Sequence, residues 1–439
     1  MTARSSAEQL IRFIHASPSP WHAAEQARAH LLQAGFQELR EDEAWSVQVG
    51  GNYFVLRDGS SIIAFRIGQR PAEIGLRVVG AHTDSPGLRV KPRGGIARGE
   101  LLGLAVEVYG GPILATFADR DLTLAGRVLL KRAGHAAAVE SRTINFTRPL
   151  LRLSTPAIHL NREVNEQGLR FEPQEELPLL LGMLDSQIPA DERFKKLVAA
   201  EAGVEPDQIV SWELAAVDTQ PGGFFGVNEE FIASGRLDNL ASTHAAVTAL
   251  GRAEAVDGIA MCALFDHEEV GSESYKGAAG TFLNSVVDRL LEAFGISTAD
   301  DKQRVLARSI LLSADMAHAL HPNYPRYYDD QHAPRINGGP VVKINVKQRY
   351  ATDGAGEAFF ANLCEAEGVP CQRYVHRNNL PCGSTIGPIV SARLGIRAVD
   401  VGNPMWSMHS IREAAGVEDH DAMIRVMTRF FRDVDGIGL

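Results

Sequence analysis

Hydrophobic positions recur at helical spacing over residues 6–16 and again over 21–34, with "SPSP" between them. Pro18 and Pro20 stop the first helix and set up the second. Alternation and β-branched residues then predict strands at 52–57 and 61–67, and the short run "LRVVGA" at 76–81, apolar apart from Arg77, predicts a strand covered on both faces. From about 87 to 228 the pattern changes to short β-like pieces rich in Gly and Pro, with helical periodicity only near 190–202. After about 235, helices (240–252, 281–294, 354–367, 417–433) alternate with short apolar strands (259–265, 309–314, 340–346, 397–401). That rhythm predicts an α/β sheet with helices on both faces. The simplest organisation is an α/β domain made from both ends of the chain, 1–86 and 229–439, with a β-rich domain inserted at 87–228.

The totals fit this division. A chain of 439 residues is long for a single core, and 45% hydrophobic with 22% charged residues is an ordinary globular composition. The net charge of −10 argues against nucleic acid or an anionic membrane as a partner, because phosphate binding needs a basic face. Four cysteines without C-x-x-C spacing argue against a disulfide scaffold. Glu8 and Arg12 break the N-terminal apolar pattern, so no signal peptide is expected, and no stretch approaches a membrane span; a cytoplasmic enzyme is the expectation.

Polar residues gather where the apolar runs end. "VVGAHTD" puts His82 and Asp84 just past one strand, "LFDHEE" puts Glu268 and Glu269 past another, and "ILLSADMAH" does so for Asp315 and His318. "GRLDNLAST" sets Asp238 at a helix start, and "WSMHSIRE" puts His409 in a loop. Singly, each has a plain explanation: a helix cap for Asp238, a strand terminator for Asp315, a solvated pair for the glutamates. Jointly they gather at strand and helix ends, and open α/β sheets bind ligands beyond the carboxyl ends of their strands. Imidazole and carboxylate together suit Zn²⁺, and two metals need a bridging carboxylate and a separate base. Other chemistries lack their motifs: the fourth residue after His267 is Gly271 rather than His, no G-x-S-x-G surrounds Ser272 or Ser274, and "SYKGAAG" lacks P-loop spacing. Cys382 reads as a small packed thiol rather than a nucleophile.

These stretches, together with "SPSPWHA", "GAHTDSPGL", "IHLNREVNE", "GRLDNL", "DHEEVGS", "KINVKQRYATD" and "PCGSTIGPI", run in order along almost the whole chain. The chain thereby resembles the aspartyl aminopeptidase family of dizinc metallopeptidases. The resemblance implies a three-layer α/β zinc-exopeptidase (phosphorylase/hydrolase-like) catalytic domain with an inserted β-rich dimerisation domain. It implies two Zn²⁺ per subunit, with Co²⁺ or Mn²⁺ as possible substitutes. Asp238 would bridge them, His82 and Asp315 would complete one site, and Glu269 and His409 the other. Glu268 would be the general base and Asp84 the partner that orients His82. His159 would reach a neighbouring subunit's active site, and His318, Lys343 and Tyr350 would line the substrate pocket. Lys343 is the cation suited to an N-terminal Asp or Glu, although its strand-like setting taken alone reads as exposed. Peptide substrates, dimers and a tetrahedral dodecamer with an interior chamber also follow from the resemblance. A deacylase or carboxypeptidase on the same scaffold is the alternative, as is neutral specificity.

Overall fold

In the computed structural model, which describes residues 2–437 apart from 133, 135, 136 and 186, alternate residues of strand Ile259–Phe265 face two separate cores. Ala260, Cys262 and Leu264 pack on one side against helices Pro20–Gln33, Leu237–Arg252 and Val417–Arg432. Met261, Ala263 and Phe265 pack on the other, against helices Phe282–Ala293, Ala299–Ala307 and Ile386–Leu394. Every residue of this strand and of Leu76–His82 and Ile310–Ala314 is buried, which is why all three read as largely apolar; the buried Arg77 is paired with Asp433. The result is the three-layer α/β arrangement expected.

The sheet has nine strands in the order Gln37–Leu39, Asn52–Arg57, Ser61–Ile67, Ile259–Phe265, Leu76–His82, Ile310–Ala314, Arg397–Gly402, Val341–Ile344, Gln372–Val375. The four from Ile259–Phe265 to Arg397–Gly402 run parallel. Register sets Phe265 opposite His82 and Ser313 opposite Gly80, so three parallel strands end side by side.

Two compact units divide the chain. The one just described comprises Met1–Asp84, Gly222–Met408 and Glu413–Leu439. It also holds a five-stranded sheet of Gly223–Phe225, Phe231–Ser234, Glu413–Gly416, Pro404–Trp406 and Ala317–His318. Residues 222–228, read in sequence with the insertion, cluster here because Gly223–Phe225 pairs antiparallel with Phe231–Ser234. The second unit, Ser85–Pro221 with His409–Arg412, is a six-stranded sheet with helix Ala190–Ala202 and its own core around Leu88, Leu124, Phe194 and Leu214. Among the described residues no helix is long and apolar enough to cross a membrane.

Among the described residues, two nine-residue helices were not expected. Ala299–Ala307 buries only Val305 and Leu306, too little for a periodic signal. Ile386–Leu394 carries Pro388 in its first turn, where the ring costs no hydrogen bond, and Thr385 caps it by accepting from Gly387 N. The helix expected from 240 starts at Leu237, but Asp238 and Asn239 depart from helical geometry and are joined by a cis peptide bond.

Asp419, in the first turn of helix Val417–Arg432, is buried and ties down a distant loop. Its two oxygens accept from Gly339 N at 2.8 Å and Asn337 N at 2.7 Å. Burial nevertheless pushes its carboxyl up to about 7. A carboxyl raised on folding stabilises most when protonated, so its contribution is full below the ordinary carboxylate range and is lost as pH rises through about 7. Asp419→Asn removes that titration. The melting temperature of the variant is expected to gain on that of the wild type between about pH 5 and about pH 8, on top of a constant offset from the lost acceptor. A difference that does not vary with pH would mean that Asp419 stays ionised in the folded protein.

Candidate metal centre

The carboxyl ends of the parallel strands carry the candidate residues. His82 closes strand Leu76–His82, Asp315 follows Ile310–Ala314, and Glu268 and Glu269 form a 3₁₀ turn just past Ile259–Phe265. Asp238 enters from the non-helical start of helix Leu237–Arg252. Its backbone N donates to Glu413 Oε2 at 3.1 Å, and Asn239 Nδ2 donates to Ala314 O at 2.8 Å, which pins the helix start to the strand end.

His82 is held in one tautomer. Its Nδ1 lies 3.0 Å from the backbone oxygen of Asp84, which can only accept, so Nδ1 carries the hydrogen and Nε2 the lone pair. That lone pair faces Asp238 Oδ1 at 3.4 Å, Asp315 Oδ1 at 3.7 Å and Glu268 Oε2 at 4.0 Å. A lone pair against carboxylate oxygens is repulsive unless a cation or a proton lies between. The spacing suits a cation, since two ligand atoms each about 2.1 Å from a tetrahedral zinc stand about 3.4 Å apart. Ligand atoms of His82, Asp238 and Asp315 all lie within 4.8 Å of one another, as do those of His82, Glu268 and Glu269. The donor set therefore fits a zinc ion.

The charges agree. Burial works against a protonated His82, yet Asp238, Asp315, Asp84 and Glu268 hold its pKa well above the ordinary value. Burial pushes the Glu268 carboxyl up to about 8; His82 opposes this, and Asp315, Asp84 and Asp238 add to it. Both shifts mark a cluster short of positive charge, and a bound cation would draw Glu268 back toward the ionised form.

Asp84 acts on the glutamate turn more directly than expected. Its Oδ1 and Oδ2 accept from Glu268 N at 3.2 Å and Glu269 N at 3.1 Å, while Oδ1 stands 3.5 Å from His82 Nδ1. Thr243 Oγ1 donates to His82 O at 2.8 Å.

Lys343 is not an exposed strand residue. Its strand lies between two others and its side chain is only 2% exposed. Nζ donates to Met316 O at 3.2 Å, stands 3.4 Å from Asp315 Oδ2, and lies 5.2 Å from the centre of the Tyr350 ring. Tyr350 is buried, and burial raises its hydroxyl pKa. The ring of His318 meets Tyr374 at 5.4 Å, and burial, then Lys343, lowers its pKa to about 4, leaving a neutral imidazole. Cys382 packs partly buried beside Tyr350 and Tyr374.

His409 and His159 belong to the second unit. His409 Nδ1 lies 3.0 Å from Gly111 O, which again leaves Nε2 with the lone pair. His159 sits in an exposed turn. Glu413, Asn239 and Thr243 were not singled out from the sequence, although each lies within or beside a motif that was; no residue type or spacing sets them apart from ordinary capping and strand positions.

A family model described as aminopeptidase I zinc metalloprotease (M18) matches residues 13–431. A protein of Pseudomonas savastanoi pv. phaseolicola named "Probable M18 family aminopeptidase 2" is 47% identical over 429 residues, covering 96% of this chain and 97% of its own. The protein of the same name from Ectopseudomonas mendocina is 46% identical over 428 residues, covering 96% and 97%. Among solved structures, a chain of the Ape4 and Nbr1 complex superposes with a TM-score of 0.94 at 38% identity, covering 98% of this chain and 86% of that one. A chain of the S. cerevisiae mApe1 dodecamer does so with a TM-score of 0.85 at 29% identity, covering 98% and 96%.

Proposed function

This chain belongs to the aminopeptidase I zinc metalloprotease (M18) family, and we propose that, within it, the protein removes N-terminal Asp or Glu from peptides at a two-zinc site. The observation that carries this reading is a buried cation set against the metal cluster: Lys343 Nζ, 3.4 Å from Asp315 Oδ2. A desolvated ammonium beside the reaction centre favours a substrate side chain of opposite charge.

Asp238 is assigned to both ions, His82 and Asp315 to one, and Glu269 and His409 to the other. Co²⁺ or Mn²⁺ would suit the same ligands. Metal held by these residues would supply Lewis acidity for the scissile carbonyl and for the attacking water. Glu268 takes the proton of that water and returns it to the departing amine. Asp84 holds the Glu268–Glu269 turn through two backbone hydrogen bonds and buttresses His82. His318 and Tyr350 line the pocket for the N-terminal residue beside Lys343.

Assembly is part of this reading. The mApe1 relative is a dodecamer. The second unit exposes large apolar side chains, among them Leu160 (83%), Met183 and Val210, as a subunit interface would. Dimers formed through this unit, built into a tetrahedral dodecamer, would allow His159 to serve a neighbouring subunit.

Hydrolysis rates for Asp, Glu, Leu and Lys aminoacyl substrates, with and without Lys343→Ala, test the specificity. The wild type is expected to favour Asp and Glu by about tenfold or more. Lys343→Ala is expected to lose about 100-fold in kcat/KM on these and much less on Leu, because an unpaired buried charge is costly only for the acidic substrates. An equal loss on all four substrates would assign Lys343 to supporting Asp315 instead.

A further inference from the structure

The turn that carries Glu268 and Glu269 is anchored by a buried ion pair that the reaction as described does not use. Lys276 is buried, and its Nζ lies 2.9 Å from Asp266 Oδ2 and 2.9 Å from Asp58 Oδ2. Asp266 directly follows strand Ile259–Phe265 and has no exposed surface. The ammonium also lies 5.1 Å from the centre of the Trp21 ring, which gives the "SPSPW" stretch a place in the site's architecture. Burial disfavours the charged amine, but Asp266 and Asp58 raise its pKa above the ordinary lysine value, so it stays protonated.

Asp266 passes this constraint to its neighbours. Its Oδ1 accepts from His267 N at 2.8 Å, and its own N donates to Ser61 Oγ at 2.9 Å. The Ser61 hydroxyl in turn donates to Lys276 O at 2.8 Å, closing a ring around the start and end of the 266–276 segment. Inside that ring the backbone is strained: His267 and Ser272 hold φ of 66° and 63°, in the left-handed region that non-glycine residues avoid. Ser272 N donates to His267 O at 2.8 Å, and His267 Nδ1 meets Ser274 Oγ at 2.9 Å. Such a turn keeps its shape only when its surroundings over-determine it. Asp84 holds it from one side, through Glu268 N and Glu269 N. The ion pair holds it from the other.

A well-packed apolar pair often stabilises a fold as well as a buried ion pair does. What the ion pair adds is direction: Asp266 must point one oxygen at Lys276 and the other at His267 N. We propose that Lys276 is a positioning residue for hydrolysis, fixing through Asp266 the orientation of the turn that presents Glu268 and Glu269. This rests on the reading of Glu268 as base and Glu269 as metal ligand.

The double variant Asp266→Asn/Lys276→Met tests it. Removing both charges leaves no unpaired ion at positions 266 and 276; Asp58, the ammonium's other partner, is a partly exposed carboxylate that water can reach; and Asn keeps an oxygen for His267 N. The double variant is expected to fold with a melting temperature near that of the wild type, while kcat falls about 30-fold or more and KM stays within about twofold, since a small misplacement of a reacting group acts on the chemical step. Zinc is expected to dissociate more readily in a chelator titration. Wild-type kcat in the folded double variant would overturn the proposal, as would a loss of kcat no larger than the loss of folded protein. Glu268→Gln assayed alongside separates the two levels. If that variant is active, the base assignment fails; if it is inactive while the double variant is fully active, only the role of Lys276 fails.

Discussion

Glu268→Gln is expected to lower kcat by about 10³-fold or more while the protein stays folded and keeps its zinc. The substitution is close to isosteric, so packing around the 3₁₀ turn survives, and Glu268 N still donates to Asp84 Oδ1. What is lost is a basic oxygen beside the cluster: Oε2 stands 4.0 Å from His82 Nε2, close enough to serve a water held there yet farther than Asp238 at 3.4 Å or Asp315 at 3.7 Å. Glutamine cannot accept the water's proton. Turnover and bound metal, measured on the same preparation, check the prediction. Glu268→Gln that is inactive and has lost zinc would make Glu268 a ligand, and the base would have to be sought elsewhere. Glu268→Gln that keeps both activity and zinc would remove Glu268 from the chemistry altogether.

How much of this was legible beforehand follows from where the signal lies. Parallel strands buried on both faces are largely apolar, so Asp, Glu and His at their ends stand out against the run; His82, Asp315 and the 268–269 pair were visible for that reason. Which residue does what came from resemblance, because strand-end position is the same for a ligand, a base and a cap. Lys343 was misjudged when taken alone, because "VVKINVK" looks the same whether its strand is at an edge or inside the sheet. Its burial depends on Gln372–Val375 pairing outside it, a contact with no local trace. The same holds for Lys276, which pairs with Asp58, 218 residues earlier, and for the five-stranded sheet, assembled from pieces as short as Ala317–His318. Local periodicity marks elements; it does not mark which distant side chain will neutralise a buried charge.

That distinction bears on the metal itself. The cluster brings His82, Asp238, Asp315, Glu268 and Glu269 together with Lys343 close to Asp315. The protein supplies less positive charge there than the carboxylates need, so chelation should cost stability as well as activity. A ligand that binds only the folded state adds about 2.7 kcal/mol when present at a hundredfold excess over its Kd, which for a unit of this size is a melting-temperature shift on the order of 5 °C. The wild type is therefore expected to melt several degrees lower in EDTA than in zinc, with activity lost in EDTA and regained on adding zinc. Asp238→Ala removes the oxygen 3.4 Å from His82 Nε2, nearer to that nitrogen than Asp315 Oδ1 or Glu268 Oε2, from the residue assigned to both ions. The variant should be inactive and should melt at nearly the same temperature in EDTA as in zinc. Its backbone N can still donate to Glu413, so a folding defect at the start of the helix is not the expected cause. If Asp238→Ala retains the full zinc-dependent shift, the ions are bound without Asp238, and the shared-carboxylate assignment is wrong. If it retains about half of the bound zinc and part of the shift, Asp238 serves one ion alone, and the second site must close around Glu269 and His409 without it.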